Sequence, residues 1–190
     1  MKIIDIAAGT RPNFIKIASI INNLKLQNEY NRTFKIRLIH TGQHKDYEMS
    51  GSFFAQLKID KPFKKFNLSG KDQVAKFSEI IAKYDEFVNK YKKPHLVIVV
   101  GDVDSTAAIA VSAKKNKLPI AHIEAGLRCG DENMPEEINR KLTDTLSDIC
   151  YTTSRQASQN LLKENISKKK ITFIGNTMID TLKLFENKIK

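Results

Sequence analysis

Between His122 and Arg140 the chain reads H-I-E-A-G-L-R-C-G-D-E-N-M-P-E-E-I-N-R, and about twenty residues upstream an apolar run ends in Gly101-Asp102. Asp102 and Glu124 therefore stand at the downstream ends of two neighbouring hydrophobic segments, and Glu136 opens the helical pattern that follows. In an open α/β sheet such strand ends form the crevice where ligands bind. A carboxylate that ends a central strand ahead of Ala125-Gly126 is partly desolvated and placed for proton exchange. Its plainer reading is an ion pair with Arg128 or Arg140. Asp104 or Ser105 can serve as the N-cap of the helix after the glycine turn, which leaves Asp102 uncommitted. Pro135-Glu136-Glu137 also reads as an ordinary helix start, with proline first and acids in the first turn. That reading leaves Asn139 and Arg140 unexplained, since they return to the Glu136 side one turn on. Glu137 lies about 100° around the helix from Glu136 and is expected to turn away from the crevice. Three carboxylates with several cations suit proton transfer on a polar, anionic substrate. No nucleophile paired with a base and no metal-ligand spacing accompanies them, so no metal is expected.

Two further clusters sit at predicted strand ends. The first strand runs into Gly9-Thr10-Arg11-Pro12-Asn13 and then a helix, a turn whose free amides can hold an anion. A single glycine equally marks a structural turn, and the dinucleotide fingerprint G-x-G-x-x-G is absent. Arg11 adds a planar fork suited to phosphate or carboxylate. The second strand ends in Thr41-Gly42-Gln43-His44, where His44 taken alone reads as a hydrogen-bonded structural residue.

The elements that must position these residues are short β-rich runs alternating with helical patterns, the signature of βαβ units. Strands are predicted at Lys2–Ala8, Phe34–His40, Leu96–Val100, Ile120–Glu124, Ile149–Thr153 and Ile171–Ile174, with a short one at Phe63–Asn67. From Asp72 to Tyr91 apolar residues recur at three and four, a helix with one face on a sheet and Asp72 as its cap. A last helix is expected from about Thr177 to the end. The fold class is α/β, a doubly wound, mostly parallel, Rossmann-like sheet. A chain of 190 residues makes one domain of this kind, 1–190.

The formal net charge of +11 comes from lysines spread along helices and ends. No RNA-recognition, zinc-finger or helix-turn-helix signature accompanies them, so no nucleic-acid partner is expected; the charge reads first as a lysine-rich solvated surface and only second as suited to a phosphate-bearing substrate. No run approaches the roughly 20 apolar residues of a membrane span and no leader pattern precedes Ile3, so a soluble cytoplasmic protein with no membrane partner is expected. Cys129 and Cys150 form no C-x-x-C pair and read as inert thiols.

Taken in order, Gly9-Thr10-Arg11-Pro12, Thr41-Gly42-Gln43-His44, the stretch 101–106 (G-D-V-D-S-T), 122–128 (H-I-E-A-G-L-R), 134–140 (M-P-E-E-I-N-R), Ser147-Asp148 and 175–180 (G-N-T-M-I-D) resemble the non-hydrolysing UDP-N-acetylglucosamine 2-epimerases of bacteria. The resemblance implies one half of a GT-B-like, two-domain architecture, with the C-terminal domain supplied elsewhere or by a complementary chain, and a homodimer in the full-length form. It implies conversion of UDP-GlcNAc to UDP-ManNAc through elimination and re-addition of UDP, for surface polysaccharide synthesis, with no nicotinamide or other cofactor. It places catalytic carboxylates on Asp102, Glu124 and Glu136 and substrate contacts on Arg11, Arg128, Asn139 and Arg140. Gln43 and His44 match a loop that in some members touches a second, regulatory UDP-GlcNAc. Asn13 departs from the family's usual glutamate, Asp104 from its asparagine, and Gly51 from its M-S-D pattern. The alternatives are an epimerase of another UDP-sugar, a GT-B glycosyltransferase, or a non-catalytic sugar-nucleotide-binding domain. The isolated chain is expected to be inactive.

Overall fold

Short apolar runs joined by long helical stretches cannot form hairpins, so they pair in parallel through crossovers. A computed structural model of the chain describes residues 1–31, 33–43 and 51–186. The strands β1 (Lys2–Ala8), β2 (Phe34–His40), β3 (Lys64–Lys65), β4 (Leu96–Val100), β5 (Ile120–Ala125), β6 (Ile149–Thr152) and β7 (Ile171–Phe173) form a seven-stranded sheet in the order β3-β2-β1-β4-β5-β6-β7, every pairing parallel. Strand order reverses between β1 and β4, and the carboxyl edge at that switch point is where such sheets take ligands. The doubly wound, Rossmann-like expectation is met.

The helices are α1 (Arg11–Asn31), α2 (Gly51–Gln56), α3 (Gln73–Lys90), α4 (Asp104–Lys115), α5 (Pro135–Leu146), α6 (Arg155–Lys163) and α7 (Thr177–Phe185), with a 3₁₀ turn at Lys168–Lys170. The two-residue period of each strand sends alternate side chains to opposite cores. Ile4, Ile6, Ala8, Ile98 and Val100 pack with Phe14 and Ile17 of α1, while Ala7, Val97 and Val99 pack with Ile80 and Tyr84 of α3 and Ala108 and Ile109 of α4. Helix α7 docks on α1 through Ser19, whose amide donates to Thr181 Oγ1 at 3.2 Å and whose hydroxyl donates to Thr177 O at 3.3 Å.

Asp72 caps α3 as its spacing predicts, accepting from the Ala75 amide at 2.8 Å. At α4 the expected cap is corrected: Asp104 is the first helical residue, Val103 at the cap position makes no side-chain bond, and Gln43 Oε1 accepts from the Ser105 amide at 3.0 Å. The predicted strand at Phe63–Asn67 contracts to Lys64–Lys65, and β5 runs one residue beyond Glu124. That extra residue follows a register shift against β6 between Ile123 and Ala125. The expected final helix is described as far as Phe185, and residues 187–190 lie outside the described residues.

Candidate active site

Strand β4 must turn sharply at its end to start α4, and Gly101 does so at φ +71°. A side chain there would press on Asn13 Nδ2 and Lys16 Nζ at 3.3 Å and on Glu124 Oε2 at 3.4 Å. Residues of α1 and β5 thus converge on the space beside Gly101, the residue that precedes Asp102. Glu124 itself has φ +73°, in the left-handed region that an L-residue other than glycine seldom occupies. Such a conformation costs about 1–3 kcal/mol and gathers at functional sites. It lies at the register shift, where the bulge re-aims the side chain. The Glu124 carboxylate, 16 % exposed, forms an ion pair with Lys16, 13 % exposed. The partner is therefore neither Arg128 nor Arg140.

Asp102 pairs with Arg140, whose Nε donates to Asp102 Oδ2 at 3.0 Å while its Nη2 approaches at 2.5 Å. Arg140 Nη1 also donates to Glu137 Oε2 at 2.8 Å. Glu137, 1 % exposed, further accepts from the amides of Cys129 at 3.2 Å and Gly130 at 3.4 Å. Burial pushes its pKa up, but Arg140 and the two amides outweigh burial and leave it lowered. The expectation for Glu137 is thus corrected: it turns inward and organises the loop and Arg140. Glu136 is half-buried, and its side chain makes no hydrogen bond or ion pair among the described residues. Asn139 Nδ2 donates to Asp102 O and to Asp104 Oδ1, each at 3.0 Å, which ties α5 to the start of α4.

Arg11 opens α1 at the same edge, its guanidinium 5.2 Å from the centre of the Phe53 ring. Asn13 holds the preceding turn: Oδ1 accepts from the Thr10 hydroxyl at 2.8 Å and the Thr10 amide at 3.3 Å, and Nδ2 donates to Val100 O at 3.2 Å. Asn13 thereby links the turn after β1, the first turn of α1 and the end of β4. Gln43 caps α4, and His44 lies outside the described residues. Arg128 points to structural partners, donating to Glu164 Oε1 at 2.7 Å and to Leu127 O at 2.6 Å, with Nη2 2.8 Å from Asp144. It would meet a substrate only by exchanging one of these. Lys16, the ion-pair partner of Glu124, is a residue at the candidate site that sequence reasoning missed; a lysine between Ile15 and Ile17 in the helix after the Gly9 turn is the signal for it. Among the described residues no group of three or more His, Cys, Asp and Glu is arranged to hold a metal ion.

Residues 26–190 match the family model described as UDP-N-acetylglucosamine 2-epimerase. The chain belongs to this family. A UDP-N-acetylglucosamine 2-epimerase homolog of Methanococcus maripaludis is 42 % identical across 99 % of the chain, and a UDP-2,3-diacetamido-2,3-dideoxy-D-glucuronate 2-epimerase of Pseudomonas aeruginosa is 42 % identical across 97 %. Among solved structures, the Methanocaldococcus jannaschii UDP-GlcNAc 2-epimerase in complex with UDP-GlcNAc and UDP superposes with a TM-score of 0.88 at 37 % identity over 98 % of the chain. The Neisseria meningitidis enzyme bound to UDP-GlcNAc gives 0.87 at 33 % over the whole chain. The chain spans about half the length of these relatives: 51 % of the first three and 50 % of the last. It has the Rossmann-like fold of one half of a GT-B-like epimerase. A lipopolysaccharide outer core galactosyltransferase, at 15 % identity and TM-score 0.60, shares the fold alone.

Proposed function

We propose that this chain is the N-terminal half of a two-domain enzyme that interconverts UDP-GlcNAc and UDP-ManNAc. The observation that carries the reading is the meeting of Asp102, Glu124 and Lys16 around Gly101 at the switch point of a chain in this family. As the C2–H bond breaks, its electron pair forms the C1=C2 bond and the C1–O bond to UDP breaks, so UDP leaves as the anion and a 2-acetamidoglucal remains. Re-addition of UDP at C1 with a proton delivered to the other face of C2 gives the epimer. The chemistry needs proton-exchanging groups on both faces of C2 and negative charge near the oxocarbenium-like centre, and Asp102, Glu124 and Glu136 divide these tasks. Lys16 holds Glu124 in place, and Arg11, Asn139 and Arg140 contact the sugar nucleotide, joined by Arg128 once it exchanges its Glu164 partner. Gln43, already capping α4, keeps its amide NH₂ for a regulatory UDP-GlcNAc, and His44, the next residue in the sequence, is the second contact of that reading.

Completion by a C-terminal half, as a homodimer in the cytoplasm, would place this activity in surface polysaccharide synthesis. No described helix is long and apolar enough to cross a membrane. A second substrate, the UDP-linked 2,3-diacetamido glucuronate, is favoured by the equal 42 % identity to the Pseudomonas aeruginosa enzyme. Titration of the ¹⁵N-labelled chain with each nucleotide sugar tests the reading. The expected result is amide shifts confined to the carboxyl edge, around residues 9–16, 101–106 and 124–140. Saturable shifts confined to the opposite edge, or none at millimolar ligand, would contradict it.

A further inference from the structure

Asp144 of α5 is 1 % exposed and takes no part in the chemistry assigned above. Three donors converge on its carboxylate: His122 Nδ1 lies 2.6 Å from Oδ1, and Oδ2 accepts from the Gly126 amide at 3.1 Å and from Arg128 Nη2 at 2.8 Å. His122 and Gly126 are the residues two before and two after Glu124. One buried carboxylate thus holds both ends of the short segment that contains the register shift and the left-handed Glu124. The segment has little freedom elsewhere, because Gly126, at φ +80°, lies so close to α6 that a Cβ would stand 2.9 Å from Ala157 C and Leu161 Cγ. The second ring nitrogen of His122 is 2.8 Å from Gly101 O, the carbonyl that leads into Asp102. The His122 ring thus bridges the Asp144 carboxylate and the Gly101 carbonyl.

We propose that Asp144 is the positioning residue of the site: by clamping His122 and Gly126 it imposes the left-handed backbone of Glu124 and, through the His122 ring, fixes the Gly101-Asp102 turn. This rests on the reading of Asp102 and Glu124 as reacting carboxylates. A strained backbone persists only where its surroundings over-determine it, and the four contacts of this network do so. Displacement of a catalytic group by about 1 Å lowers a rate about 10²-fold.

The test compares Asp144→Ala, Asp144→Asn and, as a control, Asp5→Asn, whose target is an equally buried carboxylate ion-paired with Arg37 away from the carboxyl edge. In the labelled chain, Asp144→Ala should move the Glu124 ¹³Cα and ¹³Cβ shifts from left-handed toward extended values. In the completed two-domain enzyme it should lower C2 deuterium exchange at saturating UDP-GlcNAc about 10²-fold, with KM within a few-fold of wild type. Asp144→Asn can still accept from Gly126 and Arg128 through its amide oxygen and present its amide NH₂ to His122 Nδ1. It should keep the Glu124 shifts, recover most of the rate, and change the His122 ring ¹⁵N signals, because an amide replaces the carboxylate beside Nδ1. Asp5→Asn should lower the melting temperature and leave the Glu124 shifts and the saturated rate unchanged. Native Glu124 shifts with a native rate in Asp144→Ala, or an equal rate loss in Asp5→Asn, would overturn the clamp. If Asp144→Ala does not fold, an unchanged His122 ring in Asp144→Asn would overturn it. Absence of exchange by the wild-type completed enzyme would defeat the functional reading, while the Glu124 and His122 signals still decide the clamp.

Discussion

At the residue scale the site is a set of charges each held by a different element. Glu124 leans on Lys16 of α1, and Asp102 on Arg140 of α5. Replacing Glu124 by Gln or Asp102 by Asn keeps size and hydrogen bonding but removes the proton acceptor. In the completed enzyme each change is expected to lower C2 exchange by about 10²–10⁴-fold with the melting temperature little changed, measured by NMR of the sugar in deuterated water. Lys16→Met leaves Glu124 without its cation and should lower exchange about 10²-fold as the carboxylate shifts. Glu137 belongs to a different class of effect. Its carboxylate accepts from Arg140 and from the amides of Cys129 and Gly130, so Glu137→Gln is expected to lower unfolding free energy by about 1.5–3 kcal/mol, read by urea denaturation. Any loss of exchange should accompany a displaced 129–130 loop.

At the element scale the strand ends decide what the crevice contains. His40 closes β2, is 2 % exposed, and accepts from the Gly42 amide at 2.9 Å through Nδ1. Burial, with the nearby charge of Lys65, holds its pKa down to about 4, against an ordinary 6.5. Because the folded-state value lies below the unfolded one, protonation favours unfolding. The contribution is complete above pH 6.5 and falls as pH drops toward 4, by about 3 kcal/mol in total. Urea denaturation across this range should show the slope, and His40→Gln should lack it. The starts of β1, β2, β4, β5, β6 and β7 were legible in the sequence because apolar, largely β-branched runs begin there, those of β4, β5 and β6 just after Pro94, Pro119 and Ser147-Asp148. Strand β3 was overread because it is an edge, where two residues pair and Phe66 is already in the core beyond them. Asp102 and Glu124 were legible as acids beside glycines at strand ends. Lys16, Asp144 and the inward turn of Glu137 were not, since their meaning lies in partners far along the chain or across a loop, and a lysine in a basic chain reads as solvated surface.

At the scale of the molecule the chain has the fold of one half of a GT-B-like epimerase and spans about half of its relatives. Catalysis between two domains needs both walls to orient substrate and exclude water. The chain alone is therefore expected to bind nucleotide sugar weakly and to turn it over not at all. The measurement that tests the central claim most directly is deuterium incorporation at C2 of UDP-GlcNAc in deuterated water, followed by NMR for the chain alone, for the completed enzyme, and for the completed enzyme carrying Glu124→Gln. The account predicts incorporation by the completed wild type only, with loss of about 10²-fold or more in the variant. Robust exchange by the chain alone, or undiminished exchange by Glu124→Gln, would contradict it.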